Sequence, residues 1–282
     1  MKRASLDITK KFIIYIVLIG AGLFFLLPFI WMISTSLKTP KQVWTFPPEW
    51  IPNPPSLETY SKIWKMAPIH LFLVNSFIVT GLTIVGMVVS CSLVAFGFAR
   101  LKFRGRDLLF IILLGSMILP PQIYMIPQYL FFSFLGWVGT FKPLYVPYWL
   151  AGYLGPFYIF LLRQFFLTIP RELDDAALID GCSWFSIYAR IMLPLAKPAL
   201  IAAIIFCFTW TWNDFLTPLI YLNSREKYTI TLGLRYFQSQ YGLRYIRELM
   251  TASTISALPT LLLFFFFQKY FVEGISLQAI KK

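Results

Sequence analysis

Six long apolar runs punctuate the chain, at residues 12–36, 70–99, 108–135, 143–162, 198–222 and 249–270, with charged or proline-rich segments between them. A helix needs about 20 apolar residues to cross the hydrocarbon core of a bilayer, and each run meets or approaches that length. The pattern predicts an all-α, polytopic membrane protein with six transmembrane helices. The third run carries Pro120, Pro121 and Pro127. Proline removes a backbone donor and disrupts the preceding turn, so the outer half of this run is expected to be kinked or unwound. Such backbone is tolerated at membrane depth only where protein or a watery cavity receives the freed carbonyls, which points to a pathway there. Residues 1–11 are charged and precede an apolar stretch reaching Trp31, the order of a secretory signal. The stretch is too long for one and no small-residue cleavage site follows, so it reads as a retained first span.

Composition sharpens the picture. Of 282 residues, 58% are hydrophobic, 19% aromatic and only 13% charged, with a mean hydropathy of +0.70. A soluble globular chain is far more polar. A net charge of +13 would suggest nucleic acid in a soluble protein. Here the bases lie between apolar spans, where they commonly set topology, and nucleic-acid binding falls away. With the amino terminus inside, the inner segments (1–11, 99–107, 163–197, 269–282) hold 15 Lys and Arg, against 10 in outer segments of equal summed length (38–69, 134–143, 222–248). The asymmetry is sharpest in the short loop with Arg100, Lys102, Arg104 and Arg106, and short loops carry the most weight. Both termini are therefore expected in the cytoplasm.

The outer segment 38–69 is rich in proline and tryptophan and is expected to form a compact, extended surface rather than a helix, with Trp44, Trp50 and Trp64 at the membrane interface. No linker or internal repeat divides the chain, so residues 1–282 read as one transmembrane domain. Cys91, Cys182 and Cys207 are scattered, His70 is the one histidine, and neither CxxC nor HExxH occurs. A disulfide framework and a protein metal site are both improbable on that count.

The most informative segment is the inner loop 163–197, RQFFLTIPRELDDAALIDGCSWFSIYARIMLPLAK. It reads as a helix, a turn and a second short helix. Pro170 suits a first helical turn, Glu172, Asp174 and Asp175 lie at the positive end of the macrodipole, and Gly181 is placed to stop the helix in a left-handed conformation. Two features exceed what folding requires. Asp180 opposes the dipole in the last turn, by about 0.3–1 kcal/mol, and Ala176 and Ala177 leave a small-residue face beside Gly181. On physical grounds the segment is either a docking element for a basic cleft on a soluble partner or a solvated amphipathic loop helix.

The run DDAALIDG, followed after nine residues by IMLP, resembles the EAA loop of permease subunits in bacterial ATP-binding-cassette (ABC) importers. Its first acidic position is Asp175 in place of the usual Glu, and Cys182 stands where Ala is frequent. The stretches STSLKTP (34–40), NSFIVT (75–80), AFGFARLKFRGRD (95–107), MIPQYLFFSFLG (125–136), WNDFLTPL (212–219) and FVEGI (271–275) are similar to the maltose-transporter type of sugar permease. The tail, residues 277–282, departs from that family's small, Gly-rich ending. The resemblance implies a type I importer permease fold in the bacterial inner membrane. It implies that the loop is a coupling helix seated in an ATPase subunit through Glu172, Asp174, Asp175, Ala176, Ala177, Asp180 and Gly181, with Leu193 and Pro194 supporting it. The implied partners are a second, related permease forming a heterodimer, two ATPase subunits, an extracytoplasmic solute-binding protein and a carbohydrate substrate. No GxxxxGK[ST] occurs, so ATP and Mg²⁺ are expected to belong to the ATPase and the chain to have no catalytic residue of its own.

Solute contacts are expected in the outer half of the fifth run. Asp214 there costs about 2.5–3.5 kcal/mol if it faces lipid at mid-depth, so it should face protein or a wet cavity. Trp210, Trp212 and Asn213 lie beside it, and aromatic faces with amides and carboxylates suit a sugar. The other reading, of equal weight, is a buried structural hydrogen bond or a pairing with a neighbouring subunit. Tyr124, Gln128, Tyr148 and Tyr153 are further candidates for the same path. The basic surplus of the outer segments, five bases of it in 225–247, suits an acidic binding protein better than an anionic oligosaccharide. A stand-alone secondary transporter or channel is the alternative. It would favour several ionisable groups at mid-membrane, whereas essentially one carboxylate occurs there. A membrane-embedded transferase or protease lacks paired acids or a nucleophile with its base.

Overall fold

The computed structural model describes the backbone of residues 2–239 and 245–279, and the side chains of 10–238 and 245–268. Helix α1 (Lys2–Ser36) is followed by α2 (Glu58–Met66), α3 (Ile69–Arg100), α4 (Arg106–Ser116), α5 (Pro121–Phe134), α6 (Lys142–Trp149) and α7 (Gly155–Thr168). The loop contributes α8 (Glu172–Ile179), α9 (Trp184–Ile187), a π-helical turn Tyr188–Met192 and α10 (Leu193–Leu195). Then come α11 (Lys197–Trp212), α12 (Leu216–Tyr221), α13 (Ile230–Ser239) and α14 (Ile246–Ala279). Among the described residues there is no strand, and the fold is all-α as the apolar pattern predicts.

Among the described residues, three helical stretches are long and apolar enough to cross a membrane unbroken: Lys10–Ser36, Ile69–Arg100 and Ile246–Gln268. Two bent pairs raise the number to five if each is one span: α4 with α5 at 95°, and Trp184–Leu195 with α11 at 77°. The remaining expected spans are helical but interrupted. The third breaks at the prolines, where Pro120 is extended (ψ 135°) and Pro121 opens α5. The fourth run divides into α6 and α7 around residues 150–154. Gly152 N–H donates to Pro147 O at 2.7 Å there, and Ala151 and Tyr153 take positive φ of 55° and 51°. The fifth run stops at Trp212 and resumes as α12. In the outer segment, residues 46–57 contain no helix, but Glu58–Met66 departs from the extended form expected. No proline falls between Pro55 and Pro68, and Glu58 in the first turn and Lys65 in the last suit the macrodipole.

The chain divides into two compact units, each made of sequence-distant pieces. One comprises residues 1–69 and 234–257. In it the Lys38 ammonium lies 3.7 Å from the centre of the Trp31 ring, a cation–π contact. Burial pushes that ammonium's pKa down, against an upward pull from Glu49. Arg247 donates to the Lys38 carbonyl at 3.1 Å, and Glu248 pairs with Lys62 at 3.0 Å. The apolar face of α1 from Phe12 to Ile30 is exposed, as a span meeting lipid or another subunit requires.

The other unit comprises residues 70–233 and 258–282. Its core joins α3, α7, α11 and the 163–197 loop through Met87, Phe96, Tyr158, Leu162, Met192 and Ala203. Gly86 lets Trp149 lie directly on α3: a Cβ there would stand 1.7 Å from the indole. The Trp149 N–H donates to Leu82 O at 2.8 Å, fixing α6 against α3.

Candidate functional site

The loop helix α8 ends through a pair of backbone hydrogen bonds. Gly181 N–H donates to Leu178 O at 3.0 Å and Cys182 N–H to Ala177 O at 2.9 Å, with Gly181 at φ +80°. This is a Schellman stop, and a left-handed residue is what it demands. Pro170 falls just outside the helix, since Glu172 is the first helical residue. Ser183 starts α9 by accepting from Ser186 N–H at 3.2 Å.

Asp174 behaves unlike its acidic neighbours. It is 5% exposed and pairs with Arg100, at the end of α3, at 3.3 Å. Arg100 also donates to Ile169 O at 2.8 Å. Burial pushes the Asp174 carboxyl up from its usual value, while Arg100 pulls it back. Asp174 is thus turned inward and is not on the surface offered to another protein. Ala177 is likewise buried in the core, so it leaves no small-residue face. Glu172, Asp175, Ala176, Asp180 and Gly181 are exposed. Beside them stand two residues that sequence reasoning passed over: Ile179, 87% exposed, and Phe185, 69% exposed. Their signal was available, as large apolar residues on short helices outside any span. Of the expected supports, Leu193 packs on the core and Pro194 is exposed. Tyr188 does more, since its hydroxyl meets Ser92 of α3 at 2.7 Å and its ring lies 5.4 Å from Phe96.

A second site is a cavity of about 530 Å³ within the same unit, formed where α4–α5, α6–α7 and α11–α12 break. It gathers most of the expected solute contacts: Tyr124, Gln128, Tyr148, Tyr153, Trp210 and Asp214 all line it. Tyr153 is held in its left-handed conformation while its hydroxyl donates to Pro143 O at 3.0 Å, and its ring lies 5.3 Å from Tyr148. Tyr221, which sequence reasoning did not single out, donates to Gln128 at 3.4 Å. Asp214 Oδ1 accepts from Thr217 N–H at 3.1 Å, so the carboxylate both starts α12 and borders the cavity. Trp212 does not reach this cavity. It is 1% exposed and stacked on Phe208, ring centres 5.3 Å apart. Asn213 is outside it too, donating to Thr209 O at 2.7 Å.

The outer bases are less available than their number suggests. Lys227 donates to Gly139 O at 2.6 Å and Arg247 is buried beside Glu248, while Arg244 lies outside the described residues. The side chains of the carboxy-terminal tail, 277–282, also lie outside them. No group of His, Cys, Asp or Glu suited to a metal ion occurs among the described residues.

Comparison with known proteins places the geometry in a family. The chain is 35% identical over 262 residues to a probable ABC transporter permease protein, YurM, of Bacillus subtilis, covering 90% of this chain and 83% of that one. It is 32% identical over 283 residues to the trehalose/maltose transport system permease protein MalG of Thermococcus litoralis, covering 98% of each. A crystal structure of a bacterial ABC transporter involved in importing the acidic polysaccharide alginate matches with a TM-score of 0.80. Identity there is 22%, over 92% of this chain and 95% of that one. A structure of an alginate ABC transporter in complex with its pentasaccharide-bound periplasmic protein matches at a TM-score of 0.63 and 15% identity, covering 93% and 94%. Residues 83–277, well over half the chain, match a single family description. The chain belongs to the family of binding-protein-dependent transport system inner membrane components, the permeases of ABC transporters.

Proposed function

We propose that this chain is one half of the translocation pore of an ATP-driven sugar importer and takes its driving force from a separate ATPase through α8. Relatives named for trehalose/maltose and for arabinooligosaccharides support the substrate class. The single observation that carries the coupling role is the exposed end of α8, where Ile179, Asp180 and Gly181 project from a loop that Asp174 ties to Arg100. An apolar knob rimmed by acids suits a cleft with an apolar floor and basic walls. In that docking Ile179 and Phe185 supply buried area, Asp175 and Asp180 set orientation, and Gly181 keeps the turn low. Motion of the ATPase shifts the loop, and the ion pair carries the shift into α3, so that the spans alternate between inward and outward access. The assembly pairs this chain with a related permease, two ATPase subunits and an extracytoplasmic binding protein, with both of its termini in the cytoplasm. ATP and Mg²⁺ stay with the ATPase.

The test is reconstitution of the whole assembly in proteoliposomes with Asp180→Lys or Gly181→Trp. Membrane insertion is expected to be unchanged, while sugar uptake and its associated ATP hydrolysis fall about tenfold or more, as loss of a central interface contact of 1.4 kcal/mol or above implies. ATPase subunits that bind the variants and are stimulated by them as by the parent would remove the docking assignment.

A further inference from the structure

We infer that the cavity admits uncharged and cationic sugars and rejects anionic ones, with Asp214 as the residue that sets the sign. The inference rests on the sugar-path reading above and adds the charge class of the solute. The cavity wall holds one ionisable carboxylate and, among its lining residues, no Lys, Arg or His. Its remaining polar groups are neutral, among them the amides of Gln122 and Gln128, the indole N–H of Trp210, and serine, threonine and tyrosine hydroxyls. Of these, Thr211 already donates to Cys207 O at 2.7 Å and Tyr153 to Pro143 O at 3.0 Å. Each therefore offers its oxygen lone pairs, while Gln122, Gln128 and Trp210 bring neutral N–H donors to the same wall.

A sugar hydroxyl both donates to and accepts from such a neutral wall, and an ammonium adds a charge that suits Asp214. The carboxylate of a uronate, or a phosphate group, supplies only acceptors at that position and a charge of the wrong sign. In a partly enclosed site that repulsion is screened far less than in water. The ring faces of Tyr148 and Trp210 suit the apolar faces of a pyranose. At about 530 Å³ the space falls in the ordinary range for small-ligand sites, about 300–1,000 Å³. The bases of the outer segments do not alter this, because none of them lines the cavity.

Gln128→Cys, placed in a Cys182→Ala chain, reads the cavity's charge, since Cys91 and Cys207 are buried. In the full complex the new thiol is reacted with a trimethylammonium and with a sulfonate methanethiosulfonate. The same thiolate attacks both, so the ratio of rates cancels its own reactivity. Across a cavity on the order of 10 Å, one carboxylate is expected to favour the cationic reagent about fivefold or more over the ratio for a free thiol. Asp214→Asn keeps an acceptor for Thr217 N–H and is expected to bring the ratio to within about twofold of the free thiol, with Asp214→Glu restoring the preference. Protection by maltotriose, by a glucosamine trisaccharide and by a galacturonate trisaccharide is measured alongside, with the first two expected to slow labelling and the third not. A ratio indifferent to Asp214→Asn, or galacturonate protecting as well as maltotriose, overturns the inference. A ratio that follows Asp214 while no sugar protects supports the charge preference and overturns the sugar path instead.

Discussion

At α8 the chain stops a helix with one glycine and two backbone hydrogen bonds made within six residues. Around the cavity it stops three helices with prolines, an aspartate and two left-handed residues that lie up to about a hundred positions apart in sequence. The first arrangement is local and held by a buried charge pair, so it behaves as a rigid handle. The second is joined by single hydrogen bonds, Tyr221 to Gln128 at 3.4 Å across 93 positions and Tyr153 to Pro143 at 3.0 Å across ten. A buried charge pair with its hydrogen bond thus anchors the loop, while single, separable hydrogen bonds hold the broken helices around the cavity.

The sharpest way to break this contrast is at the ion pair. Arg100→Ala or Asp174→Ala leaves a buried charge without its partner, at an expected cost of about 3–5 kcal/mol. Thermal unfolding of the detergent-solubilised assembly measures it. Replacing both by apolar residues, Arg100→Met with Asp174→Leu, should recover most of that loss while coupling stays impaired. If the double variant is as unstable as the singles, the pair is not an isolated unit.

On the cavity side, Gly86→Ala drives a methyl into the Trp149 indole and is expected to cost about 1–3 kcal/mol. It should loosen α6 and raise hydrogen exchange near residues 147–155 without altering exchange in α8. Gly181→Ala should cost about 1–2 kcal/mol, because alanine resists the left-handed conformation. Limited proteolysis of the loop would report it as faster cleavage near residues 179–183. The smallest effect expected is Tyr153→Phe, which removes one hydrogen bond worth about 0.5–1.5 kcal/mol. A small drop in melting temperature with unchanged docking of the ATPase is the anticipated result.

Legibility of the two regions followed the range of their causes. Gly181 and the Pro120–Pro121 break are written in adjacent residues, and both structures appear where the sequence puts them. The Arg100–Asp174 pair spans 74 positions, and nothing local distinguishes Asp174 from Asp175 beside it. The break between α6 and α7 puts Ala151 and Tyr153 at positive φ, which neither residue ordinarily takes, although Gly152 between them and Pro156 in the first turn of α7 are local break signals. Trp210 and Trp212 looked alike as solute contacts. Yet residues two apart on a helix lie about 200° apart around its axis, so when one faces the cavity the other must face Phe208. That distinction follows from geometry alone once the helix is known to run to residue 212.

The two tethers between the loop and α3 act at different heights. Ser92 holds Tyr188 and Arg100 holds Asp174, eight residues further along the same helix. Eight residues of helix are about 12 Å. A body gripped at one point can swivel about it. Gripped at two such points, the loop resists that swivel, and any tilt of the loop is a tilt of α3 itself.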